Sequence, residues 1–131
     1  MIFSIIITTY NYEKYIIESI DSALNQDFLG EYEVIVVDDC STDNTQLILN
    51  SYDSIVRVNN EMNLGLEVSA NNGIKKAGGK YVVRLDADDY LEENFLSEMS
   101  KHIENEDTFY YGNYTSVSKN GLHLSKVNLT D

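Results

Sequence analysis

Hydrophobic residues along the chain fall into short apolar runs that alternate with amphipathic stretches. Three runs, IFSIIIT, EVIVVD and KYVVRLD, are rich in β-branched residues, as is typical of strands covered on both faces of a sheet. A fourth run, SIVRV, predicts a shorter and weaker strand. The predicted strands are therefore residues 2–8, 33–38, 54–58 and 80–86.

The stretches that follow these strands have the periodicity of helices. In the first of them, the residues that recur on one face of a helix are Ile16, Ile17, Ile20 and Leu24. The predicted helices are residues 14–24, 45–52, 66–77 and 92–103. Each helix therefore has an apolar face that can pack against a sheet.

Polar residues and glycines beside these helices predict where the helices end. Asn11 is a predicted N-cap of the first helix. The spacing of Asp43 and Gln46 resembles a capping box before the second helix. Gly78 and Gly79 follow the third helix, where glycine often forms the C-terminal cap.

The alternation of strands and helices predicts an α/β fold. Right-handed βαβ units build a mainly parallel open sheet flanked by helices, a Rossmann-like arrangement. A tyrosine-rich stretch at residues 108–117, with turn residues at 118–121, predicts a C-terminal β-hairpin. Because 131 residues is a common domain length, we expect a single domain over residues 1–131.

Polar residues collect where three of the predicted strands end. The clusters are Thr8, Thr9, Tyr10 and Asn11 after the first strand, Asp38 and Asp39 after the second, and Asp86, Asp88 and Asp89 after the fourth. Ligands of open α/β sheets bind beyond the carboxyl ends of the strands, so we expect these side chains to line one crevice.

The charge of the chain restricts what this crevice can bind. The chain has 22 acidic residues against nine Lys and Arg, a formal net charge of −13. Nucleic acid is not an expected partner, because binding its phosphates depends on Lys and Arg. Converging carboxylates repel one another unless they are protonated or bridged by a cation. Mg²⁺ or Mn²⁺, which prefer oxygen ligands, would relieve this repulsion and hold a phosphate-bearing ligand.

The polar residues have alternatives to a divalent-cation site. The segment DADDYL could instead be a solvated turn that caps the next helix. An EF-hand loop that starts at Asp86 is excluded, because Leu91 and Ser97 stand where that loop needs glycine and glutamate. A phospho-receiver domain would carry its acidic pair after the first strand. His102 and His123 lack the spacing of a zinc site, and no Walker A or G-x-G-x-x-G motif is present.

The sequence also bears on location and redox state. No apolar run approaches the ~20 residues of a membrane span, and the N-terminal run lacks the basic flank of a signal peptide. We therefore expect no transmembrane segment and a cytoplasmic location. Cys40 is the single cysteine, which excludes an internal disulfide. Its acidic neighbourhood favours a small buried side chain over a reactive thiolate.

Three motifs together resemble a known family. The motifs are IIITTYNYEKYIIESIDSALNQDF, EVIVVDDCSTDNT and NNEMNLGLEVSANNGIKKAGGKYVVRLDADDYL. In this order and spacing, over about residues 2–112, they resemble the amino-terminal half of family 2 glycosyltransferases with the GT-A fold. The resemblance implies a nucleotide-sugar site. It also implies that the acceptor-side half of such enzymes, with the general base, lies outside this chain.

The resemblance implies that the first two clusters bind the base of the nucleotide. Thr8 and Tyr10 would line a pocket for uracil or thymine. Asp39 would read the edge of the base, with support from Asp38. A carboxylate that accepts from the imide N–H would favour uracil over cytosine, since the cytosine ring nitrogen at that position carries no proton.

The resemblance assigns the third cluster to the rest of the donor. Asp86 would contact the ribose, and Asp88 would hold the Mn²⁺ or Mg²⁺ that bridges the diphosphate. Asp89 is a weaker metal candidate and the alternative cap of the next helix.

Three functions are consistent with these features. The first is a glycosyltransferase that moves a sugar from a UDP- or dTDP-sugar to an unknown sugar, lipid or protein acceptor, with inversion as the family implies. The second is a nucleotide-sugar-binding module without transfer activity of its own. The third is a nucleotidyltransferase on a similar sheet. That enzyme would need a basic, glycine-rich phosphate loop after the first strand, where this chain offers only Lys14.

Overall fold

The computed structural model describes residues 1–103, 114–117 and 123–127. The strands are β1 (Phe3–Thr9), β2 (Tyr32–Asp38), β3 (Val56–Asn59), β4 (Tyr81–Asp86), β5 (Tyr114–Val117) and β6 (His123–Val127). The helices are α1 (Ile16–Leu24), α2 (Thr45–Leu49), α3 (Leu66–Lys76) and α4 (Phe95–His102). Within the described residues, no helix is long and apolar enough to cross a membrane.

Contacts divide the chain into two compact units, Met1–Glu98 and Met99–Asp131. The first unit contains strands β1 to β4, and the second contains β5 and β6. The single domain over residues 1–131 stays a prediction. Strands β5 and β6 pair antiparallel, as the predicted hairpin requires. The predicted strand residues 108–113 and the turn at 118–121 lie outside the described residues.

Strands β1 to β4 form one sheet in the order β3-β2-β1-β4, and every neighbouring pair runs parallel. The predicted α/β fold with an open parallel sheet is therefore confirmed. Every residue of β1 is buried, so both faces of this strand are covered. Burial on both faces explains why its sequence is continuously apolar and does not alternate.

Helix α3 packs closely on β1 and β2. The core at this contact contains Ile6, Ile35 and Val37, all buried. Gly73 makes the approach possible, because an added Cβ at this position would lie 2.6 Å from a side-chain carbon of Ile6. The glycine in the middle of α3 is therefore a packing requirement of the sheet beneath it.

One predicted helix N-cap is wrong, and another forms only in part. Asn11 accepts hydrogen bonds from the loop after β2, and α1 begins only at Ile16. Asp43 does bond the start of α2, since its Oδ1 accepts from the backbone N–H of Thr45 at 2.9 Å. The capping box is not completed, because the backbone N–H of Asp43 donates to Asn11 and the side-chain amide of Gln46 donates to the carbonyl of Ser41.

The predicted glycine cap of α3 is also wrong. The residue after the helix, Ala77, has an extended backbone. The N–H of Gly78 donates to the Glu33 carboxylate at 2.7 Å, and the N–H of Gly79 donates to the Ser4 hydroxyl at 2.8 Å. The two glycines therefore fasten the connection between α3 and β4 to the start of the sheet.

Replacing Gly79 with alanine should destabilise the fold. An added Cβ would lie 2.6 Å from backbone atoms of Phe3 and Ser4, and paired strand backbone cannot easily move aside. We expect Gly79→Ala to lower the free energy of unfolding by about 1–3 kcal/mol in urea denaturation. Gly78→Ala is the matched control, because its Cβ would meet its nearest atom at 3.5 Å. Equal losses in the two variants would contradict this packing argument.

Candidate functional site

The carboxyl ends of three adjacent strands bring the predicted site residues together. Thr8 in β1 is level with Asp86 in β4, and Thr9 is level with Asp38 in β2. Neighbouring strands lie about 4.8 Å apart, so residues far apart in sequence become neighbours at this edge. The strand order changes direction between β1 and β4. This position is the topological switch point, where open α/β sheets bind ligands.

A cavity of about 520 Å³ opens at this edge of the sheet. Its volume lies within the range of small-molecule sites. The lining residues are Thr8, Thr9, Tyr10, Asn11, Tyr12, Asp39, Asn63, Gly65, Leu66 and Ser69. Three predicted nucleotide-binding residues, Thr8, Tyr10 and Asp39, thus line one cavity, whereas Asp38 and Asp86 do not belong to its wall. Tyr10 is 41% exposed, so its ring is open to a ligand.

Asp39 holds the loop that forms the opposite wall of the cavity. Only 4% of its surface is exposed. Its Oδ1 accepts from the backbone N–H of Leu64 and the side chain of Asn60, both at 2.8 Å, and its Oδ2 accepts from the backbone N–H of Gly65 at 2.9 Å. Burial opposes ionisation, but these hydrogen bonds outweigh it and hold the pKa of Asp39 below its ordinary value. Asp39 is therefore charged at neutral pH.

Asn60 connects the Asp39 carboxylate with α3. Its side-chain N–H groups donate to Asp39 and to the Ser69 hydroxyl, the latter at 2.9 Å. Its carbonyl oxygen accepts from Asn72 at 3.0 Å. The orientation of Asn60 is therefore fixed from both ends. The sequence prediction missed this residue, although the polar loop NNEMNLG after β3 was a signal for it.

A second set of hydrogen bonds ties the β1 side of the cavity to the loop after β2. The side-chain carbonyl of Asn11 accepts from the backbone N–H of Thr42 at 2.7 Å and of Asp43 at 3.2 Å. The backbone N–H of Asn11 donates to the Ser41 hydroxyl at 2.9 Å, and that of Glu13 donates to Asp43 at 3.1 Å. Burial opposes ionisation of Asp43, but hydrogen bonds from nearby groups outweigh it and lower its pKa.

Asp38 lies behind the cavity wall and is fully buried. Its Oδ1 accepts from the backbone N–H of Ser41 at 3.2 Å. Among the described residues, its Oδ2 and the hydroxyl oxygens of Thr8 and Thr9 have no hydrogen-bond partner. Buried polar atoms usually have partners, so these groups retain unused hydrogen-bonding capacity at the end of the sheet.

A tight turn gathers the third cluster. The backbone N–H of Asp89 donates to the carbonyl of Asp86 at 3.0 Å and closes residues 86–89, which we name the acidic turn. Ala87 is buried, whereas Asp86, Asp88 and Asp89 are exposed. One carboxylate oxygen from each of the three lies within 4.8 Å of the others. Three hard oxygen donors at this separation fit Mg²⁺ or Mn²⁺.

The electrostatics of the acidic turn agree with that fit. Partial burial, followed by the charges of Asp88 and Asp86, raises the pKa of Asp89 above its ordinary value. The turn therefore concentrates negative charge at a cost in free energy. A bound divalent cation would remove that cost.

Two predictions close to the site are wrong. Cys40 is not a buried filler: it is partly exposed, with φ 64° where the chain turns after Asp39. Asp89 does not cap the next helix, since α4 begins at Phe95. The N–H of Leu96, in the first turn of α4, instead donates to the side-chain oxygen of Gln26 at 2.9 Å. At the start of α4, a tertiary contact therefore replaces the local cap that the sequence suggested.

Comparison with known proteins decides the family. The family model described as "Glycosyl transferase family 2" matches residues 4–129. The chain belongs to glycosyl transferase family 2. The predicted membership of this family is therefore confirmed, and the GT-A fold agrees with structures of similar glycosyltransferases.

Curated relatives support this family 2 assignment. The chain is 39% identical over 115 residues to the poly(ribitol-phosphate) beta-N-acetylglucosaminyltransferase TarS of Staphylococcus aureus, which covers 79% of this chain and 19% of TarS. It is 36% identical over 122 residues to the UDP-Glc:alpha-D-GlcNAc-diphosphoundecaprenol beta-1,3-glucosyltransferase WfgD of Escherichia coli, which covers 91% of this chain and 48% of WfgD. The chain thus spans less than half the length of these two relatives.

Two solved structures resemble this family 2 fold. S. aureus TarS 1–349 in complex with UDP has a TM-score of 0.72 and 40% identity, covering 77% of this chain and 31% of that chain. The mannosyltransferase PcManGT from Pyrobaculum calidifontis, in complex with GDP-Man and Mn²⁺, has a TM-score of 0.70 and 26% identity. It covers 89% of this chain and 35% of that chain.

Asp39 and Asp43 should make the fold sensitive to acid. Each folded-state pKa lies below the ordinary value of 3.8, so each carboxylate contributes stability above that pH. This stability is lost as pH falls through the folded-state pKa values. Urea denaturation between about pH 7 and about pH 3 should show this loss. Asp43→Asn should be less stable at neutral pH and lose less on acidification.

The exposed Asp53 offers a matched control for this measurement. Asp53→Asn removes one carboxylate at a position outside the site. In this variant, the free energy of unfolding should fall with acidification about as steeply as in the unmodified chain. An Asp43→Asn variant with the same pH dependence as the unmodified chain would contradict the role given to Asp43.

Proposed function

We propose that this family 2 chain binds the donor of a glycosyltransferase, a UDP- or dTDP-sugar, together with Mn²⁺ or Mg²⁺. The sugar is then transferred to an acceptor with inversion at the anomeric carbon. The observation that carries the proposal is the cavity lined by Thr8, Tyr10 and Asp39, together with its position beside the acidic turn. Thr8 in the wall of this cavity is level with Asp86 of the acidic turn. The UDP complex of TarS and the UDP-Glc donor in the name of WfgD favour uridine as the nucleoside.

Asp39 reads the base in this proposal. Each carboxylate oxygen can accept about two hydrogen bonds. N–H groups of the protein use two positions on Oδ1 and one on Oδ2, and the Ser69 hydroxyl also bonds the carboxylate. The imide N–H of uracil or thymine would take the position of this hydroxyl, which can rotate towards another acceptor. The exposed ring of Tyr10 offers a face on which the base can stack. Asp38, behind the wall, supports the loop that carries Asp39.

The acidic turn binds the rest of the donor. Asp86 stands level with Thr8 and is assigned to the ribose. Asp88 is assigned to the cation, and the carboxylates of Asp86 and Asp89 lie close enough to share it. The net charge of −13 leaves few basic side chains for phosphate, which favours recognition of the diphosphate through a metal ion.

The chemical step follows from this arrangement. A divalent cation bound at the acidic turn supplies charge neutralisation for the departing nucleoside diphosphate. The residues of this chain hold the base and ribose, and thereby orient the anomeric carbon. An acceptor hydroxyl attacks that carbon once a general base removes its proton. The general base, the acceptor and the cytoplasmic location stay predictions from the sequence and its family.

Asp39→Asn should weaken discrimination between uridine and cytidine nucleotides. In asparagine, an NH₂ group replaces one of the two carboxylate oxygens. This group is a donor and cannot accept from the N–H of Gly65 or from the imide N–H of the base. The ratio of the affinities for UDP and CDP, measured by calorimetry, should fall by roughly 10-fold, the factor that corresponds to one hydrogen bond to a charged group. An undiminished preference for UDP would reject this contact.

Asn60→Ala is the control for loop damage in the Asp39 experiment. It removes one donor to the Asp39 carboxylate but leaves the carboxylate in place. Affinity for UDP and CDP should fall together in this variant, with their ratio retained. A changed ratio in Asn60→Ala would mean that loop position, and not the carboxylate, selects the base.

Asp88→Ala should remove most of the metal-dependent affinity for UDP. We expect UDP binding in the presence of Mn²⁺ to weaken by at least about 10-fold, because even indirect partners of a metal contribute that much. UDP binding in a metal chelator should stay nearly unchanged. Asp53→Ala, which removes an exposed carboxylate elsewhere, is the charge-matched control. Unchanged UDP binding of Asp88→Ala in Mn²⁺ would remove Asp88 from the metal site.

The same preparation separates a transferase from a binding module. Release of UDP from UDP-sugars in the presence of a panel of acceptors would support transfer by this chain. UDP binding without any release would support the nucleotide-sugar-binding module. A failure of UDP and UDP-sugars to bind at all would overturn the proposed function.

A further inference from the structure

The acidic turn is fastened to α1 by three polar side chains from a segment far away in sequence. The Ser19 hydroxyl donates to the carbonyl of Asp86 at 3.2 Å. The Ser22 hydroxyl accepts from the N–H of Leu91 at 3.0 Å. The side chain of Gln26, just after α1, bonds to the segment that leads into α4. We name Ser19, Ser22 and Gln26 the α1 anchor.

Ser19 acts on the turn itself. The carbonyl of Asp86 already accepts from the N–H of Asp89, the bond that closes the turn. Ser19 adds a second hydrogen bond to the same oxygen. Ser19 is fully buried and Asp86 is exposed, so this hydrogen bond is partly shielded from water. The backbone at the first acidic residue is therefore held both by the turn and by the helix.

Ser22 and Gln26 hold the chain that leaves the turn. The Ser22 hydroxyl donates to the Ser19 carbonyl at 2.8 Å while it accepts from Leu91, so its orientation is fixed. The amide N–H groups of Gln26 donate to the carbonyls of Ser22 at 3.1 Å and Glu92 at 2.9 Å. Its carbonyl oxygen accepts from Leu96 at 2.9 Å and so satisfies an N–H group in the first turn of α4.

The acidic turn needs such support because its side chains oppose one another. Three exposed carboxylates each place an oxygen within 4.8 Å of the others. Repulsion among them favours conformations in which the carboxylates spread apart. Hydrogen bonds to the backbone on both sides of the turn resist that spreading without adding charge.

We propose that Ser19, Ser22 and Gln26 are positioning residues that hold the acidic turn in the geometry that a divalent cation requires. The inference rests on the proposed function, since it presumes that the turn binds the cation. Their hydrogen bonds to this segment go to backbone atoms and not to the carboxylates, so each acts through the backbone of residues 86–96. Their contribution should therefore appear in cation affinity, and only weakly in binding of the nucleotide without metal.

The test uses Ser22→Ala and Gln26→Ala, separately and combined. Mn²⁺ binding in the presence of UDP is measured by electron paramagnetic resonance of the free ion, and UDP binding in chelator is measured by calorimetry. We expect the double variant to bind Mn²⁺ about 10-fold more weakly, the lower end of what outer partners of a metal site contribute. UDP affinity in chelator should change by less than about twofold, as outer partners act on the metal and not on the base.

Two further variants control for unspecific damage. Ser22→Thr keeps the hydroxyl and should restore Mn²⁺ affinity close to that of the unmodified chain. Asn25→Ala removes a neighbouring polar side chain that bonds only within its own helix, to the Asp21 carbonyl, and should leave both affinities unchanged. Circular dichroism and urea denaturation of each variant verify that the fold is retained.

The outcomes separate the inference from the proposed function. Suppose that Asp88→Ala abolishes Mn²⁺ binding while the double variant binds Mn²⁺ normally. The positioning role of Ser22 and Gln26 is then overturned, and the metal site stands. If the affinity of the double variant for Mn²⁺ and its affinity for UDP in chelator fall by the same factor, the α1 anchor has only a general structural role. The inference is then wrong. If Asp88→Ala itself binds Mn²⁺ normally, the metal site fails and the inference with it.

Discussion

The functional edge of this protein depends on the two parallel ladders that β1 makes with β2 and β4. Parallel strands end on the same side of a sheet, so each ladder brings its polar end residues to one edge. The register makes Thr8 level with Asp86 and Thr9 level with Asp38. A slip of one residue would turn every side chain of the slipped strand to the opposite face. Apolar packing on both faces of β1 holds the register, and therefore determines the chemistry at its end.

Carboxylates at this edge behave differently because their neighbours differ. Asp39 receives hydrogen bonds from backbone and side-chain N–H groups, and its pKa is lowered although it is buried. Asp89 is more exposed, but partial burial and two neighbouring carboxylates raise its pKa. A carboxylate stabilised by N–H donors can serve as a fixed acceptor for a neutral base. A cluster of mutually repelling carboxylates is instead suited to a cation. In the proposed function, these two environments are the separate positions for the base and the diphosphate of the donor.

Sequence reasoning predicted the elements that depend on local periodicity and missed contacts made across the fold. The buried strands and the amphipathic helices were visible because apolar spacing alone defines them. Asn11 was misassigned as a helix cap because its partners, Thr42 and Asp43, lie in another loop. Cys40 was expected to be buried, but the backbone turns at that residue. The network around Asn60 was missed: the polar loop after β3 was a signal for it, but the partners of Asn60 become neighbours only in the folded sheet.

Helix α1 illustrates how one short segment serves both packing and ligand geometry. Ile16 and Ile20 are buried in the core, as the apolar spacing predicts, whereas Ile17, predicted on the same face, is exposed. Ser19, Ser22 and Gln26 hold the acidic turn and the chain behind it through neutral hydrogen bonds. A lysine or arginine in their place would also hold the turn, but its charge would compete with a cation for the same carboxylates. Hydroxyl and amide groups fix the backbone while leaving the negative charge of the turn undiminished. The polar residues of an otherwise ordinary amphipathic helix are therefore the ones a charged site requires.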